Sequence, residues 1–240
     1  MKRKKTIYDV FVIGGGINGC GIARDATGRG LKVCLAEMSD LGSGTSSAST
    51  KLIHGGLRYL RYFDFRLVRE SLKEREVLLK NMPHICWPMR FVLPVPKAML
   101  QKMVIRLGLF IYDNLGGRTI LPGTKTIRAK DPNLGTILRN KFSSAFVFSD
   151  CWVEDARLVI LNAVDAKKRG AQVLTHTKVK SIKREEKYWK VTTESKVGIT
   201  KEFFSYSIVN AAGPWVNAFN NNISKKNTSI HLVKGSHIVV

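Results

Sequence analysis

Tyr8-Asp9-Val10-Phe11-Val12-Ile13, a short apolar run, passes directly into Gly14-Gly15-Gly16-Ile17-Asn18-Gly19, and this junction decides how the chain is read. An apolar run ending on clustered glycines predicts a strand entering a tight turn. The residues that follow, to Arg29, are rich in Ala and Gly and predict a helix, with Gly30 as its C-cap. A second apolar run, Leu31 to Ala36, predicts another strand and ends on Glu37. The stretch Ile7 to Glu37 therefore reads as β-α-β with the glycines at the first turn. In a G-x-G-x-x-G pattern Gly14 permits the turn, Gly16 lets a pyrophosphate approach the backbone, and Gly19 lets the helix lie close to the strand. Gly19, Ala23 and Ala26 keep one helix face small. The unpaired N–H groups and dipole at the helix start suit phosphates, and Glu37 can accept hydrogen bonds from ribose hydroxyls. A carboxylate there disfavours a 2′-phosphate, which argues against NADP. The pattern alone leaves the kind of dinucleotide open.

The chain has 240 residues and a net charge of +22, spread along its length rather than confined to a tail. Such a field attracts anionic partners: a membrane surface, a phosphorylated substrate or nucleic acid. Cys20, Cys34, Cys86 and Cys151 form no C-x-x-C pair and read as buried small residues in a reducing compartment, with no metal site expected. The basic start Lys2 to Lys5 is followed by a run containing Asp9, so no export signal is read. No uncharged apolar stretch approaches the ~20 residues of a spanning helix.

Downstream, Leu41 to Thr50 is a loop of small and hydroxylated residues leading into Lys51-Leu52-Ile53-His54-Gly55-Gly56-Leu57-Arg58-Tyr59-Leu60. Hydroxyls, free backbone N–H groups and paired glycines in one short stretch suit a phosphate or a flat polar ring. Leu67, Val68, Leu72, Leu78 and Leu79 fit one face of a helix between Asp64 and Asn81. Prolines 83, 88, 94 and 96 are expected to break regular structure, with Phe91-Val92-Leu93 a short strand between them. Lys97 to Tyr112 is strongly apolar with only Lys97, Lys102 and Arg106 as basic charges, which fits either a packed helix or one lying in a membrane interface. Asp155 is expected to cap a helix running to Arg169, before Gly170. Val173 to Ile182, Tyr188 to Thr193 and Phe203 to Val209 read as strands leading to Asn210-Ala211-Ala212-Gly213-Pro214-Trp215.

The segments GGGINGCGIARDATGRGLKVCLAE and GTSSASTKLIHGGLRYL resemble the FAD-dependent, quinone-linked (aerobic) glycerol-3-phosphate dehydrogenases, of the D-amino-acid oxidase-like flavoprotein superfamily. The similarity continues through Phe65 to Glu70, Arg75 to Leu79, Met89 to Phe91, Leu107 to Phe110, Ser149 to Leu158 and Lys234 to Val240. The resemblance implies FAD rather than NAD, and an α/β fold in which a Rossmann-like FAD-binding domain is interleaved with an antiparallel substrate domain. The expected boundaries are residues 1–85 and 151–222 for the two parts of the FAD-binding domain. Residues 86–150 would open the substrate domain and 223–240 would begin its returning sheet. It further implies oxidation of sn-glycerol 3-phosphate to dihydroxyacetone phosphate, with electrons passed to membrane quinone.

On this reading Arg58 and His237 line the substrate site, Arg58 for the phosphate and His237 as base, with the Tyr59 hydroxyl positioning substrate. Thr45, Ser46, Ser47, Lys51, His54, Gly55, Gly56 and Gly213 join Gly14, Gly16, Gly19 and Glu37 in binding the cofactor. His54 is expected beside the flavin as a tuning group rather than as base. The implied location is cytoplasmic and peripheral, on the inner face of an anionic membrane, with no nucleic acid partner and with a homodimer left open. Family chains continue well beyond the Lys234 to Val240 segment, so an incomplete substrate sheet with an exposed edge and weak turnover is expected of this chain alone. Two alternatives stand beside this: another flavin-dependent amine or hydroxy-acid oxidase of the same fold, and a non-catalytic basic membrane- or nucleic-acid-binding protein.

Overall fold

The computed structural model describes residues 6–95, 98–117, 119–128, 142, 144–217, 231–233 and 235–236. The chain divides into two compact units, Met1–Thr50 with Asp155–Val240, and Lys51–Glu154.

In the first unit the opening stretch folds as β1 (Ile7–Ile13), α1 (Ile17–Gly28) and β2 (Val33–Ala36), with β1 and β2 parallel. Leu31 falls outside the strand because its N–H closes the end of α1 on Ala26 O. After the glycine-rich loop the unit resumes with α4 (Asp155–Lys168), β7 (Gln172–Leu174), β8 (Thr177–Glu185), β9 (Tyr188–Ser195) and β10 (Thr200–Asn210). They complete a six-stranded sheet in the order β7-β2-β1-β10-β9-β8. Its β7-β2-β1-β10 part is parallel, and β10-β9-β8 is an antiparallel meander. All of β2 is buried, as expected of a strand covered on both faces. One face packs Val12, Val33 and Leu35 against Ala23, Ala26, Ala163 and Ala166, so α1 and α4 approach through alanines. The other buries Phe11, Ile13, Val179, Ile182 and Val191. Asp155 opens α4, and its Oδ1 accepts the Ala156 N–H at 2.8 Å.

The expected single strand from Val173 to Ile182 is two strands in different roles. His176 takes a left-handed φ of +50°. Its N–H bonds Ser39 O and that of Thr177 bonds Glu37 O, each at 2.8 Å, so the chain turns out of the parallel sheet across the end of β2 and starts the meander.

The second unit contains β3 (Leu52–Ile53), α2 (Phe65–Asn81), β4 (Cys86–Pro94), α3 (Met99–Leu115), β5 (Lys125–Arg128) and β6 (Ser144–Val153). Every strand pairs antiparallel to β6: β4 along one edge, β3 and β5 on the other. The prolines interrupt less than expected. Pro88 and Pro94 lie inside β4, opposite Cys151 and Ala145. An edge strand tolerates proline where its missing N–H would point to solvent, and β4 is an edge of the sheet. Helix α2 buries Val68, Leu72, Arg75 and Leu79. Helix α3 buries only Leu109 and Tyr112 fully, while Met99, Leu100, Met103, Val104, Leu107 and Phe110 are 57–74% exposed. Among the described residues no helix is long and apolar enough to cross a membrane.

Candidate functional site

The glycine turn is closed by main chain on both sides. Gly14 adopts φ +105°, forbidding to most side chains, and donates its N–H to Ala36 O at 2.9 Å. A Cβ on Gly19 would lie 1.9 Å from Gly14 O, so only glycine lets α1 start so close to β1. Gly16 is the extended N-cap residue of α1 and has no side chain of its own to cap it. Ser46, from the short 3₁₀ turn Thr45–Ser47, sets its Oγ 3.0 Å from the Ile17 N–H. The first turn of a helix presents N–H groups without helical acceptors, and here a serine hydroxyl stands beside them.

Glu37 does something the sequence did not suggest. Its Oε2 accepts the Gly15 N–H at 2.7 Å and its Oε1 accepts the Ser39 N–H at 2.8 Å, so the carboxylate braces the turn from the end of β2. Two bonds leave further acceptor capacity on both oxygens. Beneath it, Cys20 Sγ lies 3.4 Å from Gly15 O; burial and then the Glu37 charge push this thiol up to about 12, which leaves it inert. All four cysteines are buried and free.

Strand β10 returns to this turn. Ala211 donates its N–H to Ile13 O at 2.8 Å, and a Cβ on Gly14 would meet Ala211 O at 2.4 Å. The approach to Gly14 is made by Ala211 and Ala212, while Gly213, at φ +54°, opens the short turn Gly213–Trp215. The hydroxylated loop is anchored by Ser49, whose Oγ donates to Asp155 Oδ2 at 2.7 Å. Thr45 is exposed, and Ser46 and Ser47 are half-buried. Gly14, Gly16, Gly19, Glu37 and Ser46 thus converge within the first unit.

Lys51, His54, Gly55, Gly56, Arg58 and Tyr59 belong to the second unit and follow one another along β3 and the 3₁₀ turn Leu57–Tyr62. Lys51 and Gly56 have left-handed φ of +57° and +73°. His54, Arg58 and Tyr59 expose their side chains, and His54 Nδ1 accepts the Gly56 N–H at 3.0 Å. His237 lies outside the described residues. Under this segment is a buried polar cluster. The Gly55 N–H donates to Tyr112 Oη at 2.7 Å, and Tyr112 donates to Asp150 Oδ1 at 2.8 Å. Arg75 Nη1 donates to the same oxygen at 2.6 Å and to Ser149 O at 3.1 Å. Burial pushes the Asp150 carboxyl up, against the Tyr112 and Arg75 bonds that pull it down, and burial with the nearby carboxylate pushes Tyr112 up. The sequence reading had no place for this cluster, although a signal existed: Arg75 falls on the Val68, Leu72, Leu79 stripe, where a charge demands a partner.

With that geometry in hand, residues 9–240 match the family described as FAD dependent oxidoreductase. The chain belongs to this family. It is 57% identical over 235 residues to the D-erythritol 1-phosphate dehydrogenase of Brucella abortus (strain 2308), covering 97% of this chain and 47% of that protein. It is 50% identical over 235 residues to the aerobic glycerol-3-phosphate dehydrogenase of Escherichia coli (strain K12), covering 97% and 46%. Among solved structures, the glycerol-3-phosphate dehydrogenase of Bacillus halodurans complexed with FAD aligns at TM-score 0.67 and 30% identity, over 92% of this chain and 37% of that one. L-proline dehydrogenase from P. horikoshii, at TM-score 0.72 and 23% identity over 94% of this chain and 58% of that one, shares the fold. The chain spans about half the length of the curated relatives it matches. The cofactor of this FAD-dependent oxidoreductase family fits the first unit: Gly14 and Gly19 let main-chain segments close on one another so that α1 begins directly at the turn, its first N–H groups stand there, and a carboxylate marks the end of β2.

Proposed function

We propose that this FAD-dependent oxidoreductase oxidises the secondary alcohol of a polyol phosphate, sn-glycerol 3-phosphate, to dihydroxyacetone phosphate and passes the electrons to membrane quinone. The observation that carries the proposal is the 50% identity, over 97% of this chain, to an aerobic glycerol-3-phosphate dehydrogenase. The chemistry that FAD supplies when bound is hydride acceptance and onward electron transfer. Gly14, Gly16 and Gly19 would admit its pyrophosphate to the start of α1, with Ser46, Thr45 and Ser47 offering hydroxyls and Glu37 accepting from ribose. Lys51, His54, Gly55, Gly56 and Gly213 complete the proposed cofactor set.

Arg58 is the proposed phosphate ligand, because a guanidinium gives two parallel charge-assisted bonds to phosphate oxygens. His237 is the proposed base for the hydroxyl proton, with the Tyr59 hydroxyl orienting the substrate. His54 Nδ1 already accepts a backbone N–H, so a neutral His54 carries its proton on Nε2 and serves as donor rather than base. Arg58→Ala removes interactions worth about 1.5–3 kcal/mol, so KM for glycerol 3-phosphate should rise about ten- to a hundredfold while flavin content stays at the wild-type level. Steady-state kinetics beside flavin absorbance measure both, and equal loss of both would make Arg58 structural.

D-Erythritol 1-phosphate is the second reading, supported by 57% identity to a dehydrogenase of that name. Anaerobic bleaching of the flavin by each polyol phosphate in turn, compared as kcat/KM, separates the two. Bleaching by amino acids alone would sink both readings and favour an amine oxidase of the same fold.

The membrane part of the proposal is supported by α3, whose exposed Met99, Met103, Leu107 and Phe110 lie beside Lys102 and Arg106. An apolar helix face with basic flanks sits at a lipid headgroup boundary, and each basic residue near an anionic surface contributes about 1 kcal/mol. Changing Lys97, Lys102 and Arg106 to Glu should lower flotation with anionic liposomes by more than about tenfold. Unchanged flotation removes this segment from the proposal.

A further inference from the structure

We propose that Tyr112, Asp150 and Arg75 are positioning residues for the His54-Gly55-Gly56 turn, holding the His54 imidazole in one orientation and one tautomer. The functional weight of this inference rests on the reading of His54 as a flavin-side residue. Tyr112, Asp150 and Arg75 come from α3, β6 and α2, and each is at most 5% exposed. Burying an ion pair and a hydroxyl together is expensive, and apolar residues of similar volume stabilise such a position at least as well. Arg75 Nε finds no hydrogen-bond partner among the described residues, so stability alone is a poor reason for the cluster.

What the cluster does instead is visible at its end. The chain of bonds runs Arg75 to Asp150, Tyr112 to Asp150, and Gly55 N–H to Tyr112 Oη. Gly55 is also closely packed, since a Cβ there would lie 2.3 Å from Leu72 Cδ2 and 2.9 Å from Tyr112 Cε2. The next N–H, that of Gly56, points to His54 Nδ1. Tyr112 holds the His54–Gly55 peptide, and the next peptide, Gly55–Gly56, carries the N–H that meets Nδ1, so the cluster fixes the turn one peptide away from the imidazole's bond while His54 itself remains exposed.

The test uses the 240-residue chain with ¹⁵N-labelled histidine, comparing wild type with Tyr112→Phe. Phenylalanine keeps the ring packed edge-on against Phe148 and under the Arg75 guanidinium, and removes only the hydroxyl. In the wild type His54 should show an unprotonated, hydrogen-bonded Nδ1 and a protonated Nε2, and the Gly55 amide should exchange slowly with deuterium. In Tyr112→Phe the two tautomers should interconvert, Gly55 exchange should accelerate at least tenfold, and flavin reduction at saturating polyol phosphate should slow about tenfold with KM unchanged. Wild-type nitrogen shifts in the variant, even with a lowered Tm, would make the cluster merely structural and overturn the proposal. Should the variant fail to fold, rapid Gly55 exchange or mixed His54 tautomers in the wild type would overturn it alone. A wild-type chain that binds no flavin would sink the functional reading, while the histidine shifts still decide the positioning.

Discussion

Gly19→Ala is expected to strip the chain of FAD and to destabilise its first unit. The added Cβ would stand 1.9 Å from Gly14 O and 3.0 Å from Gly14 C, both main-chain atoms that cannot rotate away. Gly14 is itself held, by φ +105° and by its N–H bond to Ala36 O, so α1 must lift from β1 for the methyl to fit. Overpacking of this kind costs about 1–3 kcal/mol, and lifting the helix withdraws its first N–H groups from the phosphate position. FAD affinity should fall at least a hundredfold, measured as flavin retained per chain after gel filtration. Gly21→Ala is the internal control. It lies in the same helix with nothing within 4 Å of its Cβ, and should stabilise by about 0.5–1 kcal/mol with FAD retention unchanged. Equal flavin loss in both variants would mean that helix perturbation, and not the close approach at Gly14, is responsible.

The second large effect is expected at Asp150. Asp150→Ala leaves the buried Arg75 guanidinium with only the longer Glu76 contact, 3.5 Å from Nη2, and the Tyr112 hydroxyl without its acceptor. Breaking a buried pair from one side costs about 3–5 kcal/mol, a large share of the stability of a domain. Removing the pair in Arg75→Met with Asp150→Leu should recover part of that loss, since Glu76 then keeps only its Thr119 and Ile120 bonds. Urea denaturation compares the three proteins. A double variant as unstable as the single one would show that the site needs the charges for folding itself.

Much of the first unit was legible from local pattern because its signals lie close together along the chain. Val10 to Ile13, the glycine triplet and Leu31 to Ala36 fall within twenty-seven residues, and Gly19 answers to the nearby Gly14 O, whereas the approach of Ala211 to Gly14 comes from far along the chain. Helix α2 was legible as a helix from its apolar spacing, but its buried face is Val68, Leu72, Arg75 and Leu79; Leu67, expected on that face, is 48% exposed, and Leu78 is only partly buried. Three features were not legible. The break at His176 depends on main-chain bonds to residues 37–39, far away in sequence. The inclusion of Pro88 and Pro94 in a strand depends on β4 being an edge, a property of the sheet and not of the segment. The Arg75–Asp150–Tyr112 cluster joins residues 38 and 75 positions apart, and no local spacing links them. The dinucleotide reading came from the residues, whereas FAD came from resemblance, since Glu37 and the glycines serve either kind of dinucleotide.

The proposed seat of FAD is the turn Gly14 to Gly19, braced by Glu37 and approached by Ala211. Its most direct test is equilibrium titration of the purified 240-residue chain with FAD, followed by quenching of flavin fluorescence, with NADP as competitor. Saturable binding that NADP does not displace and that Gly19→Ala abolishes is the expected result. A natively folded chain that shows no saturable quenching, or that exchanges FAD for NADP, would contradict it.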